Sequence, residues 1–128
     1  MKVFEKTKIQ KGIENLIKYM KEQKGGECYK DALFFVDIFE KEIEKAEKMK
    51  PGTFNEYKIE GEECFDIENA IHIYRHEKAA QVDVYFNEQN EPKTMTFFYD
   101  LNQKKPLGCF FKITKLKEVK TIMAEIMF

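Results

Sequence analysis

The chain has 128 residues, 43% hydrophobic and 35% charged, with a formal net charge of −1. That length fits one domain, expected here as a single α+β unit over 1–128, with a core that needs no metal or disulfide staples. Twelve Phe and six Tyr set it apart from disordered sequences, which lack such bulk.

The longest apolar run, Ala32–Val36, ends at Asp37. It falls short of a membrane span of about 20 residues, and no apolar leader stretch of about 7 residues stands near the start. Three widely spaced cysteines (Cys28, Cys64 and Cys109) make an odd number without a Cys-x-x-Cys. This suits a reducing compartment, so the expected location is the cytoplasm. There are 21 Lys, one Arg (Arg75) and no Ser. Serine hydrolase chemistry is thereby excluded, and bidentate grip on phosphate or guanine rests on one side chain. The lysine bias fits an AT-rich coding source, bacterial or phage. Charge is uneven: Lys/Arg against Asp/Glu count seven to three in residues 1–25, four to eleven in 54–100, and six to two in 101–128. The acidic middle is either neutralised by the ends packing beside it or left as a face for a basic partner.

Helical spacing of Ile9, Ile13, Leu16, Ile17 and Met20 predicts a first helix over about Thr7–Lys24, with Thr7 as its cap and Gly25-Gly26 at its end. Gly12 within it costs up to about 1 kcal/mol relative to Ala. A second helix runs from about Cys28 to Met49 on Tyr29, Ala32, Val36, Phe39, Ile43 and Ala46. Its first half is apolar nearly all round, and Pro51-Gly52 stops it. From Thr53 the period becomes two. Tyr57 and Ile59 precede a turn at Gly61-Glu62, Phe65 and Ile67 form a second short strand, and Ala70–His76, Ala79–Phe86, Thr94–Asp100 and Leu107–Ile113 follow as further strands. Leu116, Val119, Ile122, Met123 and Ile126 return to helical spacing. The expected fold is therefore α+β: two N-terminal helices, an antiparallel meander of four to six strands, and a C-terminal helix packed on the sheet.

Register predicts more. A hairpin turning at Glu77-Lys78 pairs Ile73 with Val82 and Ile71 with Val84 facing the core, which sets Tyr74 opposite Gln81 and His72 opposite Asp83 on the other side. With Met95, Phe97, Tyr99, Cys109 and Phe111 inward, the outer face carries His72, Tyr74, Asp83, Tyr85, Phe98 and Phe110. Such a face is too aromatic for free solvation. Three explanations stand: a helix crosses to cover it, the protein self-associates through it, or it binds a ligand or partner.

Catalytic and metal chemistry find little footing. His72 and His76 share a helix face if the segment is helical, but lie about 13 Å apart on a strand. The Ile71/Ile73 alternation favours strand, so no metal is expected. His72 beside Asp83 resembles an imidazole oriented by a carboxylate, a pair used by general bases. Such a cross-strand pair is more often local stabilisation. The run Glu56, Glu60, Glu62, Glu63, Asp66, Glu68 lacks the glycine-centred spacing of a calcium loop. No glycine pattern cradles phosphate, and no cofactor is expected. Nucleic-acid binding is disfavoured because the sheet aromatics lie in the acidic segment.

No specific family is recognised. Small bacterial immunity proteins, secretion chaperones and phage-encoded inhibitors are similar in size and in lacking catalytic motifs, a likeness of type. The first expectation is a non-enzymatic protein-binding module, of an inhibitor or immunity type, that occupies a macromolecular partner or self-associates. The alternative is a small-ligand-binding domain or modest enzyme using the outer face around His72, Asp83 and Tyr74.

Overall fold

The computed structural model describes residues 4–22, 28–64, 67–88, 91–115 and 120–128. The first apolar stripe forms α1 (Lys6–Glu22), which buries Ile9, Ile13, Leu16, Ile17 and Met20. Thr7 lies inside this helix and does not cap it; the glycine pair expected to end it falls outside the described residues. Gly12 has a packing reason: a Cβ there would overlap the ring of Phe128, the last residue of the chain. The second helix, α2 (Ala32–Glu47), starts later than its apolar pattern suggests. Asp31 caps it by accepting a 2.9 Å hydrogen bond from Phe34 N, satisfying a donor that the first turn cannot pair internally. Tyr29 and Leu33 are exposed while Phe35, Val36, Phe39, Ile43 and Ala46 are fully buried, so one broad side of α2 is covered. Gly52, at φ 82°, reverses the chain after α2, and its N–H donates to Arg75 O at 2.7 Å.

Six strands follow: β1 (Thr53–Cys64), β2 (Ile67–Arg75), β3 (Ala79–Glu88), β4 (Glu91–Asp100), β5 (Lys105–Lys115) and β6 (Lys120–Met127). Each pairs antiparallel with its neighbour in chain order, which makes an uninterrupted meander. Two expectations need correction here. The backbone does not turn at Gly61-Glu62. It continues as β1 through a register shift between Lys58 and Glu63, an irregularity that glycine in a strand often marks. Nor is there a C-terminal helix packed on the sheet, because residues 120–127 form β6. Its apolar residues satisfy both periods. Ile122, Ala124 and Ile126 pair with Ile113, Phe111 and Cys109, so pairing with the open edge of β5 overrides helical spacing. Leu116 and Val119 lie outside the described residues.

Both helices lie on one face of the sheet. α2 packs on β2, β3 and β4, and α1 packs on β5, β6 and α2. Phe39 stacks on Phe97 with ring centroids 4.7 Å apart, and Phe35 meets Phe86 at 5.3 Å. Ile73, Val82, Val84, Met95, Tyr99, Phe111 and Ile113 complete the fully buried layer. At its edge a carboxylate, Glu88, pairs with Lys93 at 3.1 Å and accepts from the backbone N–H groups of Tyr29 and Lys30. This ties the segment before α2 to the β3–β4 hairpin. Among the described residues no helix is long and apolar enough to cross a membrane.

The contact between Gly12 and Phe128 predicts a reversal of sign. Gly12→Ala should lower stability in urea denaturation because it displaces the ring from Phe97, its 6.2 Å neighbour. In a Phe128→Ala background the same substitution should raise stability by about 1 kcal/mol, the helix propensity gain. Equal effects in the two backgrounds would rule the contact out.

Candidate binding surface

The inner apolar residues occupy every second position of the strands, so their register dictates what stands on the opposite face. The pairs Ile73–Val82, Ile71–Val84, Tyr74–Gln81 and His72–Asp83 all occur. The turn between β2 and β3 closes with His76 N donating to Ala79 O at 2.9 Å. Arg75, the only arginine of the chain, directs its guanidinium at the carbonyl oxygens of His76 and Glu77 and holds that turn.

Three rows cross the outer face. The first runs Phe54, Tyr74, Gln81, Phe98, Gly108 and Met127; the second Glu56, His72, Asp83, Thr96, Phe110 and Glu125; the third Lys58, Ala70, Tyr85, Thr94, Lys112 and Met123. His72, Tyr74, Asp83, Tyr85, Phe98 and Phe110 thus share one face, and among the described residues no helix lies on it. The rings form two groups. His72 is 4.5 Å from Tyr85 and 5.5 Å from Phe54 between centroids, while Phe54 and Tyr74 are 4.8 Å apart. Phe98 and Phe110 meet at 6.5 Å on the far side of Gln81 and Thr96. Phe54, Glu56, Met123 and Met127 also belong to this face. Sequence reasoning missed all four; period two counted back from the inward Tyr57 is the signal that places Phe54 and Glu56 here. The two methionines were hidden by the helical spacing of the C-terminal segment.

His72 and Asp83 are cross-strand neighbours, yet each takes other partners. His72 Nε2 lies 3.2 Å from Glu56 Oε2, and its Nδ1 is buried with no partner among the described residues. The Asp83 carboxylate accepts from Gln81 Nε2 at 3.1 and 3.3 Å and from Tyr85 OH at 3.3 Å. Asp83 is only 4% exposed although it stands on the open side of the sheet. Burial, and then the Asp83 charge, pushes the Tyr85 phenol up to about 12. Tyr74 moves upward through burial, Asp83 and Glu56 in that order. Both phenols are neutral donors at physiological pH.

Neither described thiol, Cys28 or Cys109, stands as a nucleophile beside His72. Cys109 faces inward, on the other side of the sheet, and burial pushes its thiol far above the ordinary value. Cys28 precedes α2, and burial together with the Glu88 charge raises it to about 12. High thiol values of this kind mean little thiolate and low reactivity. His72 sits within β2 and His76 just beyond its end, so this pair lacks helical i,i+4 geometry. Among the described residues no group of three His, Cys, Asp or Glu side chains could hold a metal ion.

A cleft of about 380 Å³ lies on the helix side, lined by Ile38, Glu42, Lys45, Tyr57 and Ile71 among others. Lys45 Nζ reaches Glu42 Oε1 at 3.3 Å and Tyr57 OH at 3.0 Å, while Glu42 Oε2 is buried without a partner among the described residues. Burial raises the Glu42 carboxyl above its usual 4.5, against the opposing pull of Lys45. The folded state therefore holds this proton more tightly than the unfolded chain, and stability falls as pH rises from 4.5 through the raised value. Glu42→Gln should stabilise the protein at pH 7, with the difference from the parent shrinking to nothing below about pH 4. Thermal melts across that range test this, and a pH-independent difference would contradict it.

No family model matches the chain, and no curated protein or solved structure does either.

Proposed function

We propose that this protein is a non-enzymatic binding module that occupies a macromolecular partner through the outer face of its sheet. One observation carries the reading: an aromatic face lies opposite the helices, and among the described residues no helix lies over it. Phe54 is 50%, Met123 54% and Met127 72% exposed on that side, which gives a partner apolar contact area at both ends. Large exposed apolar patches usually mark interaction surfaces, and aromatic anchors carry a disproportionate share of interface energy. An inhibitor or immunity-type role fits a chain that engages its partner by contact alone. A cytoplasmic site of action fits the two free buried thiols, Cys28 and Cys109.

A second reading, a small-ligand site around His72, Asp83 and Tyr74, draws on the buried Nδ1 of His72, which has no partner among the described residues. A ligand selective for the native state raises the melting midpoint by mass action. A thermal-shift panel of small metabolites therefore separates the two readings.

Tyr74→Ala combined with Phe98→Ala tests the first. The two residues lie in one row, on either side of Gln81. Partner binding, or self-association where the partner is a second copy, should weaken by about 2 kcal/mol or more. The loss of folding stability should stay well below the roughly 3–5 kcal/mol of a truncated core aromatic. Urea denaturation and light-scattering mass on the same variant are the measurements. A core-sized stability loss with unchanged association would sink the reading.

A further inference from the structure

We propose that the β1–β3 end of the outer face receives an arginine side chain of a protein partner, stacked on the Phe54, Tyr74, His72 and Tyr85 rings beside Asp83. This rests on the binding-module reading and adds the chemistry of the contact.

The starting point is a difference among three withdrawn carboxylates. Glu88 has Lys93 at 3.1 Å, and Glu42 has Lys45 at 3.3 Å. Asp83, at 4% exposure, has neutral donors and no ion pair among the described residues. A carboxylate shielded from water without a cation is costly unless something else compensates it. Asp83 stands on the open face, where a partner can supply that cation. Arg75, the one guanidinium of the chain, is committed to the β2–β3 turn. Glu56 adds a second negative charge on the far side of His72. Lys58 is the one cation in these three rows on β1 to β3. The upward movement of the Tyr74 and Tyr85 phenols, to which Asp83 and Glu56 both contribute, reports the same negative field.

Ring geometry selects the kind of cation. A quaternary ammonium held between two rings needs centroids about 8 Å apart, since each ring faces the charge from about 4 Å or more. Here neighbouring rings touch, at 4.5 Å for His72–Tyr85 and 4.8 Å for Phe54–Tyr74. They form a platform, not a cage, and a cation must lie on top of it. A guanidinium is planar, weakly hydrated and stacks on aromatic faces, while its edge N–H groups remain free for a carboxylate. A nucleic acid would bring phosphate to Glu56 and Asp83, against their charge.

The test is an amide-resolved NMR titration of the full chain with three blocked amino acids: N-acetyl-arginine, N-acetyl-lysine and N-acetyl-citrulline methylamides. Arginine should shift the β2 and β3 amides around His72, Tyr74, Asp83 and Tyr85, and citrulline, its neutral isostere, should bind about five-fold more weakly. Lysine should fall between them. Asp83→Asn should erase the preference for arginine over citrulline. Glu56→Gln, at an exposed position, should reduce it as well, and takes the place of Asp83→Asn should that variant fail to fold. Equal binding of arginine and citrulline, or shifts confined to other acidic surfaces, overturns the proposal. So does a single-stranded oligonucleotide that shifts the same amides more strongly. If the Tyr74/Phe98 variant loses its partner while arginine shows no preference, this inference fails and the binding-module reading stands. If arginine binds here but partner association survives that variant, the binding-module reading fails instead.

Discussion

The inner face of the meander has to be apolar on all its central strands, and that requirement fixes the register of the ladders between them. Ile71 and Ile73, Val82 to Phe86, Met95 to Tyr99, and Cys109 to Ile113 each place every second residue under a helix. A slip by one position would turn Phe97 away from Phe39 and bring Phe98 or Thr96 into its place. Among the described residues no helix covers the outer face, so its composition is a consequence of register combined with whatever else selected those residues. Packing accounts fully for the inner aromatics. It does not account for the outer ones, and this asymmetry is the ground of the functional proposal.

The register of β2 with β3, and the facing of β4 and β5, were legible because strong apolar alternation left one hairpin arrangement. With it came the shared face of His72, Tyr74, Asp83, Tyr85, Phe98 and Phe110. The C-terminal segment was not legible. Ile122, Met123 and Ile126 fit a helix stripe as well as a strand, and local spacing cannot see that β5 would otherwise present an open edge. Gly61 read as a turn because a bulge and a turn use the same residue for the same backbone freedom. The partners of His72 and Asp83 were also beyond reach: Glu56 is the neighbour of His72 on β1, a pairing the turn expected at Gly61-Glu62 obscured, and Asp83 is held by Gln81 and Tyr85, two residues away along its own strand.

The buried ionic groups show how the fold handles charge at its margins. Glu88 is surrounded by Lys93 and two backbone donors, a nearly complete shell that makes it a structural clamp. Glu42 keeps one unpartnered oxygen and an elevated proton affinity, so it weakens the fold at neutral pH. Asp83 is held in place by the neutral donors Gln81 and Tyr85, with no counter-charge on it among the described residues. Its orientation is fixed in advance, and a group fixed in advance loses little entropy when it meets a counter-charge.

Charge in this chain is separated along the sheet as well as along the sequence. The acidic segment 54–100 supplies most of β1 and all of β2, β3 and β4, whereas the basic segment 101–128 supplies β5 and β6. The basic first helix packs on β5 and β6 and on α2, so the two basic ends lie together and not across the acidic middle. Five strand spacings of about 4.8 Å put β1 roughly 24 Å from β6, about three Debye lengths at physiological ionic strength. Over that distance the basic end does little to cancel the field above β1 and β2. A net charge of −1 for the chain therefore describes neither end, and a partner approaching the Phe54–Tyr85 platform meets an acidic surface.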